Sequence, residues 1–219
     1  MFAALLAALA LAGADLPAPE ARTIPAERIF AFWGEYNALP EDERDAFTLR
    51  YELRAQPGPD GQARRFWTGL EGEDWRALEP GPDGAVAPPA PDRLAAGLLL
   101  VTDAPQGGVA VNVQFVLTGA PSQTYELAYL QAALAQTRAA MRRALGLRAL
   151  IAPRPRRIDF VFDGPSPDAF AVFPDGREEE LTSVFERVIQ LDPGARELRG
   201  VQTIRFGRAP DAVRIIVAN

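Results

Sequence analysis

Short segments of alternating apolar and polar residues recur along this chain, separated by turn-forming Pro, Gly and Asp. Residues 47–53 and 109–117 alternate most clearly, and Asp-Gly pairs occur at 60–61, 83–84 and 175–176. A period of two indicates a strand with one buried face. Because tight turns join antiparallel neighbours while parallel strands need long crossovers, we expect an α+β fold built from antiparallel β-hairpins.

The turn signals predict which strands form hairpins. We expect 47–53 to pair with 65–68, and 98–102 with 109–117. The sequence Pro-Gly-Pro-Asp-Gly occurs at 57–61 and again at 80–84, which we interpret as two hairpin turns rather than a repeat. Further strands are predicted at 158–162, 170–173, 201–206 and 212–217, whereas 178–191 fits either a helix or a strand.

Two helices are predicted from three- and four-residue apolar spacing. The longer covers about 122–146, with Ser122 as a candidate N-cap and Gly146 as its end. The shorter covers about 25–38, with Pro and Glu in its first turn. The long mid-chain helix is expected to pack against the hairpins.

The N-terminal residues predict export. Residues 1–14 (MFAALLAALALAGA) combine a short apolar run with small residues at a cleavage position, as in a secretory signal peptide, although no basic residue precedes the run. The run is too short to span a membrane, and without Cys there is no acceptor for a lipid anchor. We expect a flexible lead over 15–24, then one domain over 25–219 with an exposed loop or internal boundary near 88–92. The expected location is periplasmic or secreted.

The chain contains no His, Lys or Cys, and all 23 of its basic residues are Arg. Walker phosphate loops and Schiff-base enzymes need Lys, while Ser–His–Asp and Cys–His catalysis need imidazole. Zinc sites usually use Cys and His. We therefore expect no metal site and no cofactor. The net charge of −6 argues against binding nucleic acid.

Seven of the Arg residues lie between positions 138 and 157. Guanidinium groups bind carboxylates and phosphates through paired hydrogen bonds. We single out Arg138, Arg142, Arg154, Arg156 and Arg157 as candidates for binding an anionic ligand or an acidic protein surface. The alternative is that they pair with the protein's own acidic residues.

Trp67 is a further candidate, as a platform on which a sugar ring could stack. The alternative for Trp67, as for Trp33 and Trp75, is that it fills a core.

The sequence supports a non-enzymatic binding or interaction domain of the bacterial envelope, since no catalytic motif is present. The main alternative is an acid–base hydrolase of envelope polysaccharide that uses two carboxylates. Asp159 and Asp163 lie four residues apart on one strand, about 13 Å, whereas glycosidase pairs need about 5 to 9.5 Å. This pair therefore fails unless the strand bends. An assembly subunit is a third possibility.

Overall fold

A computed structural model describes residues 21–58, 61–146, 154–182 and 185–218 of the chain. Within those residues the strands are β1 (Arg22–Pro25), β2 (Phe47–Ala55), β3 (Phe66–Gly69), β4 (Arg76–Ala77), β5 (Ala85–Val86), β6 (Leu99–Thr102), β7 (Val109–Leu117), β8 (Thr124–Glu126), β9 (Arg154–Val161), β10 (Ala169–Val172), β11 (Glu178–Glu180), β12 (Val188–Leu191), β13 (Thr203–Phe206) and β14 (Ala212–Ala218). The α-helices are α1 (Ala26–Ile29), α2 (Trp33–Asn37), α3 (Pro91–Ala95) and α4 (Leu127–Leu145).

The strands form three sheets. The largest has the order β12-β9-β14-β7-β2-β5, and the two four-stranded sheets have the orders β1-β6-β3-β4 and β11-β10-β13-β8. All of these strand pairs are antiparallel. The predicted α+β class, with antiparallel strands and one long helix, is therefore confirmed.

The core lies between α4 and one face of the largest sheet, and it extends into both smaller sheets. Helix α4 contacts β9 and β2. Its buried residues follow the predicted three- and four-residue spacing: Leu127, Leu130, Ala133, Leu134, Thr137 and Ala140. The sheet contributes alternate residues, such as Leu49 and Tyr51 on β2 and Ile158 and Phe160 on β9. The intervening residues of these strands therefore lie on the opposite face, called here the outer face.

The predicted helix over 25–38 is replaced by two short helices. Phe32 separates them with a left-handed backbone (φ +67°) that ends the helical path. Two hydrogen bonds between distant parts of the chain stabilise this break. The Tyr51 hydroxyl donates to the Ala31 carbonyl, and Trp33 Nε1 donates to the Pro89 carbonyl. Local helix preference is overridden by these contacts with distant parts of the chain.

Helix α4 begins five residues later than predicted but ends where expected. Thr124–Glu126 forms β8 and pairs with β13 instead of entering the helix. Ser122 is not an N-cap, because its hydroxyl accepts a hydrogen bond from the Thr124 N–H in a local turn. At the other end Gly146 takes a positive φ of +54°, a conformation that favours Gly.

The predicted hairpins are wrong in their pairing, including the one at the 80–84 turn, because β4 pairs with β3 and β5 pairs with β2. Strand β2 pairs with β7 over nine residues and also with β5, not with β3. Strand β6 pairs with β1 and β3, not with β7. The turn at Gln106-Gly107-Gly108 carries the chain from one sheet to another. Turn residues favour chain reversal, but they do not select the strand that will lie alongside.

Other segments also differ from expectation or extend it. Residues 22–25 form β1, although 15–24 was predicted to be a flexible lead, and 178–191 contains the strands β11 and β12 rather than a helix. The predicted strands at 158–162, 170–173, 201–206 and 212–217 are present with small shifts. The predicted signal peptide (1–14) lies outside the described residues. In the described part of the chain, no helix has both the length and the apolar character needed to cross a membrane.

Candidate functional site

Four of the five predicted Arg residues lie where the second half of α4 meets the start of β9. Arg138 Nε donates a 2.7 Å hydrogen bond to the carbonyl of Pro155 and so joins the two elements. Arg142 follows one helical turn later, about 6 Å along the axis, and Arg154 and Arg156 flank the buried Pro155. All four Arg residues are exposed. We call Arg138, Arg142, Arg154 and Arg156 the arginine surface.

No carboxylate in the described residues forms an ion pair with the arginine surface. The side chains of Arg142, Arg154 and Arg156 form no hydrogen bond or ion pair within those residues, and the Arg138 side chain bonds only to a backbone carbonyl. Elsewhere several Arg residues do pair with acids, as in Arg50–Asp83, Arg93–Glu73, Arg143–Glu43 and Arg205–Glu178. Within the described residues the arginine surface therefore has no ion-pair partner, whereas Arg143, its neighbour on the helix, pairs with Glu43. Both interpretations of these Arg residues stay predictions. Arg148 lies outside the described residues.

Arg157 is separated from the arginine surface. Its Nη1 donates to Gln190 Oε1 at 3.1 Å, across the pair of strands β9 and β12. Arg157 lies on the outer face because it precedes the inward-facing Ile158. Beside it β9 has a bulge: Pro155 pairs with Val217 while Arg157 pairs with Ile216, so Arg156 is the extra residue. The sequence pattern Arg-Pro-Arg-Arg gave no sign of this bulge.

Trp67 fills a core and does not offer a sugar-stacking platform. Only 2% of its surface is exposed. The guanidinium of Arg65 lies 5.4 Å from the centre of its ring. The buried ring of Trp67 therefore cannot contact a ligand at the surface.

Asp159 is a half-buried carboxyl on the outer face of the large sheet. Its neighbours across the strands are Gln190 on β12 and Arg214 on β14. Burial raises its pKa above the ordinary Asp value, while Gln190, Arg157 and Arg214 act in the opposite direction. Its Oδ1 atom is buried and has no hydrogen-bond partner among the described residues. A carboxyl of this kind retains its proton more readily than an exposed one.

Glu52 is a second outer-face carboxyl, which no sequence pattern singled out. Alternation placed it on the solvent side of β2, yet it is only 3% exposed. Gln114 Nε2 donates to Glu52 Oε1 at 2.8 Å, and Arg54 Nη2 lies 3.3 Å from Oε2. Long neighbouring side chains cover it, an arrangement that depends on the partner strand β7.

The two outer-face carboxyls are too far apart to act as a glycosidase pair. Strands β14 and β7 lie between β9, which carries Asp159, and β2, which carries Glu52. Three strand spacings separate their backbones by about 14 Å, beyond the roughly 9.5 Å upper limit for such pairs.

A cleft of about 520 Å³ lies between the first turn of α4 and the segment 193–202. Glu126 and Arg199 both line this cleft. Two hydrogen bonds fasten its walls: the Leu127 N–H donates to the Gln202 carbonyl at 2.9 Å, and Gln131 Nε2 donates to the Pro193 carbonyl at 2.8 Å. Sequence reasoning missed the cleft because its walls are about 70 residues apart in the chain.

Within the described residues no group of three or more acidic side chains is placed to hold a metal ion. The outer face carries mixed charges, and the arginine surface offers only positive ones. The chain matches no protein-family model, no curated protein and no solved structure.

Proposed function

We propose that this protein is an exported, non-enzymatic binding domain whose arginine surface takes an anionic ligand or an acidic protein surface. One observation carries the proposal. The fold brings the second half of α4, which carries Arg138 and Arg142, against the start of β9, which carries Arg154 and Arg156, and no acidic side chain of the described residues forms an ion pair with them. A concentrated positive surface on a protein of net charge −6 favours an anionic partner.

The spacing of the guanidinium groups suits a partner with several anionic groups. Arg138 and Arg142 are about 6 Å apart along the helix axis, and Arg154 and Arg156 are two positions apart in β9, with Arg156 in the bulge. Each guanidinium can bind one carboxylate or phosphate through two parallel hydrogen bonds. A polymer carrying regularly spaced carboxylates or phosphates could therefore contact several of these residues at once.

The test is binding to polyglutamate and to polyphosphate by the triple variant Arg142→Gln/Arg154→Gln/Arg156→Gln. Arg138 is kept because its bond to Pro155 supports the fold. The matched control is Arg76→Gln/Arg187→Gln/Arg196→Gln, which removes three exposed Arg residues elsewhere. Both variants lower the formal net charge from −6 to −9.

We expect wild type and control to bind at least one of the two polymers, and the arginine-surface triple to lose about tenfold or more in affinity. Binding should also weaken as salt is raised. Equal affinities for the two variants would reject the arginine surface as the binding site, and so would failure of the wild type to bind either polymer.

Export is the second part of the proposal, and it rests on the signal-like residues 1–14. N-terminal sequencing of protein recovered from the bacterial envelope or medium should begin at Asp15. Exported protein that retains Met1 would contradict cleavage after Ala14.

A carboxylate acid–base hydrolase of envelope polysaccharide is the second candidate. Asp159 favours it, because a raised pKa suits a group that donates a proton. The distance of about 14 Å to Glu52 opposes it. Release of reducing sugar from purified envelope polysaccharide by wild type, abolished in Asp159→Asn but not in Asp74→Asn, would support hydrolysis. No release by wild type would reject it.

A further inference from the structure

We infer that the cleft between α4 and the segment 193–202 binds a small zwitterion, namely a free amino acid or a short peptide with free termini. The inference rests on the two opposite charges that line this one cleft, Glu126 and Arg199. Neither forms an ion pair with the other or with any other side chain in the described part of the chain. The site is separate from the arginine surface, which begins at Arg138, about 16 Å further along the helix axis than Leu127.

The walls of the cleft are held in place from both sides. Leu198 and Val201 anchor one wall in the core, and Leu127 anchors the other. The bonds from Leu127 to Gln202 and from Gln131 to Pro193 join the walls directly. A cleft fixed in this way needs little rearrangement to accept a ligand, so binding loses little free energy to ordering the protein.

The charges define the class of ligand. The Arg199 guanidinium can take a carboxylate through two parallel hydrogen bonds, and the Glu126 carboxylate can take an ammonium group. Both side chains are exposed and therefore accessible. A ligand with only one charge would satisfy one of them, whereas a zwitterion satisfies both.

The volume of the cleft also suits a ligand the size of a dipeptide. A volume of about 520 Å³ lies within the range of about 300 to 1,000 Å³ that is usual for small-molecule sites. Partly apolar walls, which include Ala128 and Ala195, can contact a small aliphatic side chain. A dipeptide such as alanyl-alanine carries one ammonium and one carboxylate and has side chains of that size.

The test is a calorimetric titration of the purified full chain with L-alanyl-L-alanine. The same dipeptide with an acetylated N-terminus lacks the ammonium, and the dipeptide amide lacks the carboxylate. We expect the free dipeptide to bind, and each blocked form to bind about tenfold or more weakly, because each loses one charge-assisted contact.

The variants Glu126→Gln and Arg199→Gln assign each charge to its partner. Glu126→Gln should lower the affinity for the free dipeptide by about tenfold, and acetylation of the dipeptide should then lower it little further. Arg199→Gln should likewise lower the affinity by about tenfold, and amidation should then have little further effect. The matched controls are Arg196→Gln and Glu197→Gln, which alter exposed residues of the same segment outside the cleft. Circular dichroism checks that all variants are folded.

Three results would overturn the inference: no binding of the free dipeptide, equal binding of the blocked forms, or equal affinity in the cleft and control variants. None of them bears on the arginine surface, which is tested with different ligands and different residues.

Discussion

Asp159 makes the stability of the protein depend on pH. Because burial raises its pKa, the folded protein holds this proton to a higher pH than the unfolded chain does. The contribution of Asp159 to the free energy of unfolding therefore falls as the pH rises from the ordinary Asp range, about 4, through the raised pKa. Asn cannot ionise, so Asp159→Asn should gain stability relative to wild type as the pH rises from acid to neutral.

Urea denaturation of both proteins at several pH values from acid to neutral measures this difference. Asp74→Asn removes an exposed carboxyl and provides the control. A difference between Asp159→Asn and wild type that stays constant with pH would show that Asp159 is not destabilised by its burial.

Gly84 is required by both its backbone angle and a close contact. Its φ is +78°, and a Cβ placed there would lie 2.8 Å from the Leu53 carbonyl oxygen. Gly84→Ala should therefore lower the free energy of unfolding by about 2 kcal/mol or more, since the positive φ alone costs an L-residue about 1 to 2 kcal/mol.

Gly72→Ala provides the matched control, because Gly72 has a similar φ of +85° but open space around its Cβ position. Gly72→Ala should lower the free energy of unfolding by only about 1 kcal/mol, the cost of the positive φ alone. Equal losses in urea denaturation of the two variants would show that the contact with Leu53 yields without strain.

At the scale of single residues, the sequence indicated some charged features but not their partners. The concentration of Arg between 138 and 157 predicted the arginine surface, since neighbours on a helix and on the next strand stay close after folding. The hydrogen bond of Arg157 depends on Gln190 of β12, and the burial of Glu52 depends on Gln114 of β7. Such partners come from distant parts of the chain and have no local signature.

At the scale of elements, Tyr51 ties β2 to the break between α1 and α2. Its side chain is fully buried, and its hydroxyl donates to the Ala31 carbonyl at 2.7 Å. Its ring meets the Phe30 ring edge-on at 5.2 Å between centroids. Tyr51→Phe keeps the ring but removes the hydrogen bond, so the free energy of unfolding should fall by about 1 to 2 kcal/mol.

Tyr129→Phe is the control, because the Tyr129 hydroxyl also donates to a backbone carbonyl, that of Thr118, in an exposed setting. Tyr129→Phe should lower the free energy of unfolding by no more than about 0.5 kcal/mol, as most surface substitutions do. Chemical denaturation at neutral pH compares the two. If Tyr51→Phe lowered the free energy of unfolding no more than Tyr129→Phe does, the hydrogen bond from Tyr51 to Ala31 would not stabilise the break between the helices.

Strand positions were largely predictable, whereas strand pairing was not. Alternation located β2 and β7 because each buries one face, a local property of the sequence. Strand β6 has Leu100 and Val101 buried on opposite faces, so it needs a place inside a sheet between β1 and β3. Neither partner adjoins it through a short turn, and this is why turn signals assigned β6 the wrong neighbour.

At the scale of the whole molecule, one buried core joins the three sheets. It includes Leu100 from the sheet of β6, Ile158 from the six-stranded sheet and Ile204 from the sheet of β13. The described residues near 88–92 are also tied to the N-terminal part, since Trp33 Nε1 donates to the Pro89 carbonyl at 2.7 Å. A single domain over 25–219, rather than two units divided near 88–92, stays a prediction that unfolding experiments can test.

A single domain predicts one unfolding transition reported equally by all probes. Far-UV circular dichroism follows α4, whereas tryptophan fluorescence includes Trp67 of β3 and Trp33 of α2. Leu130→Ala in α4 and Leu100→Ala in β6 each truncate a fully buried side chain, so each should cost about 2 to 5 kcal/mol. Since the core is continuous, each substitution should lower the urea midpoint of both signals together. If Leu100→Ala lowered the fluorescence midpoint and left the circular dichroism midpoint unchanged, the sheet of β6 would unfold by itself, and the single core would not act as one cooperative unit.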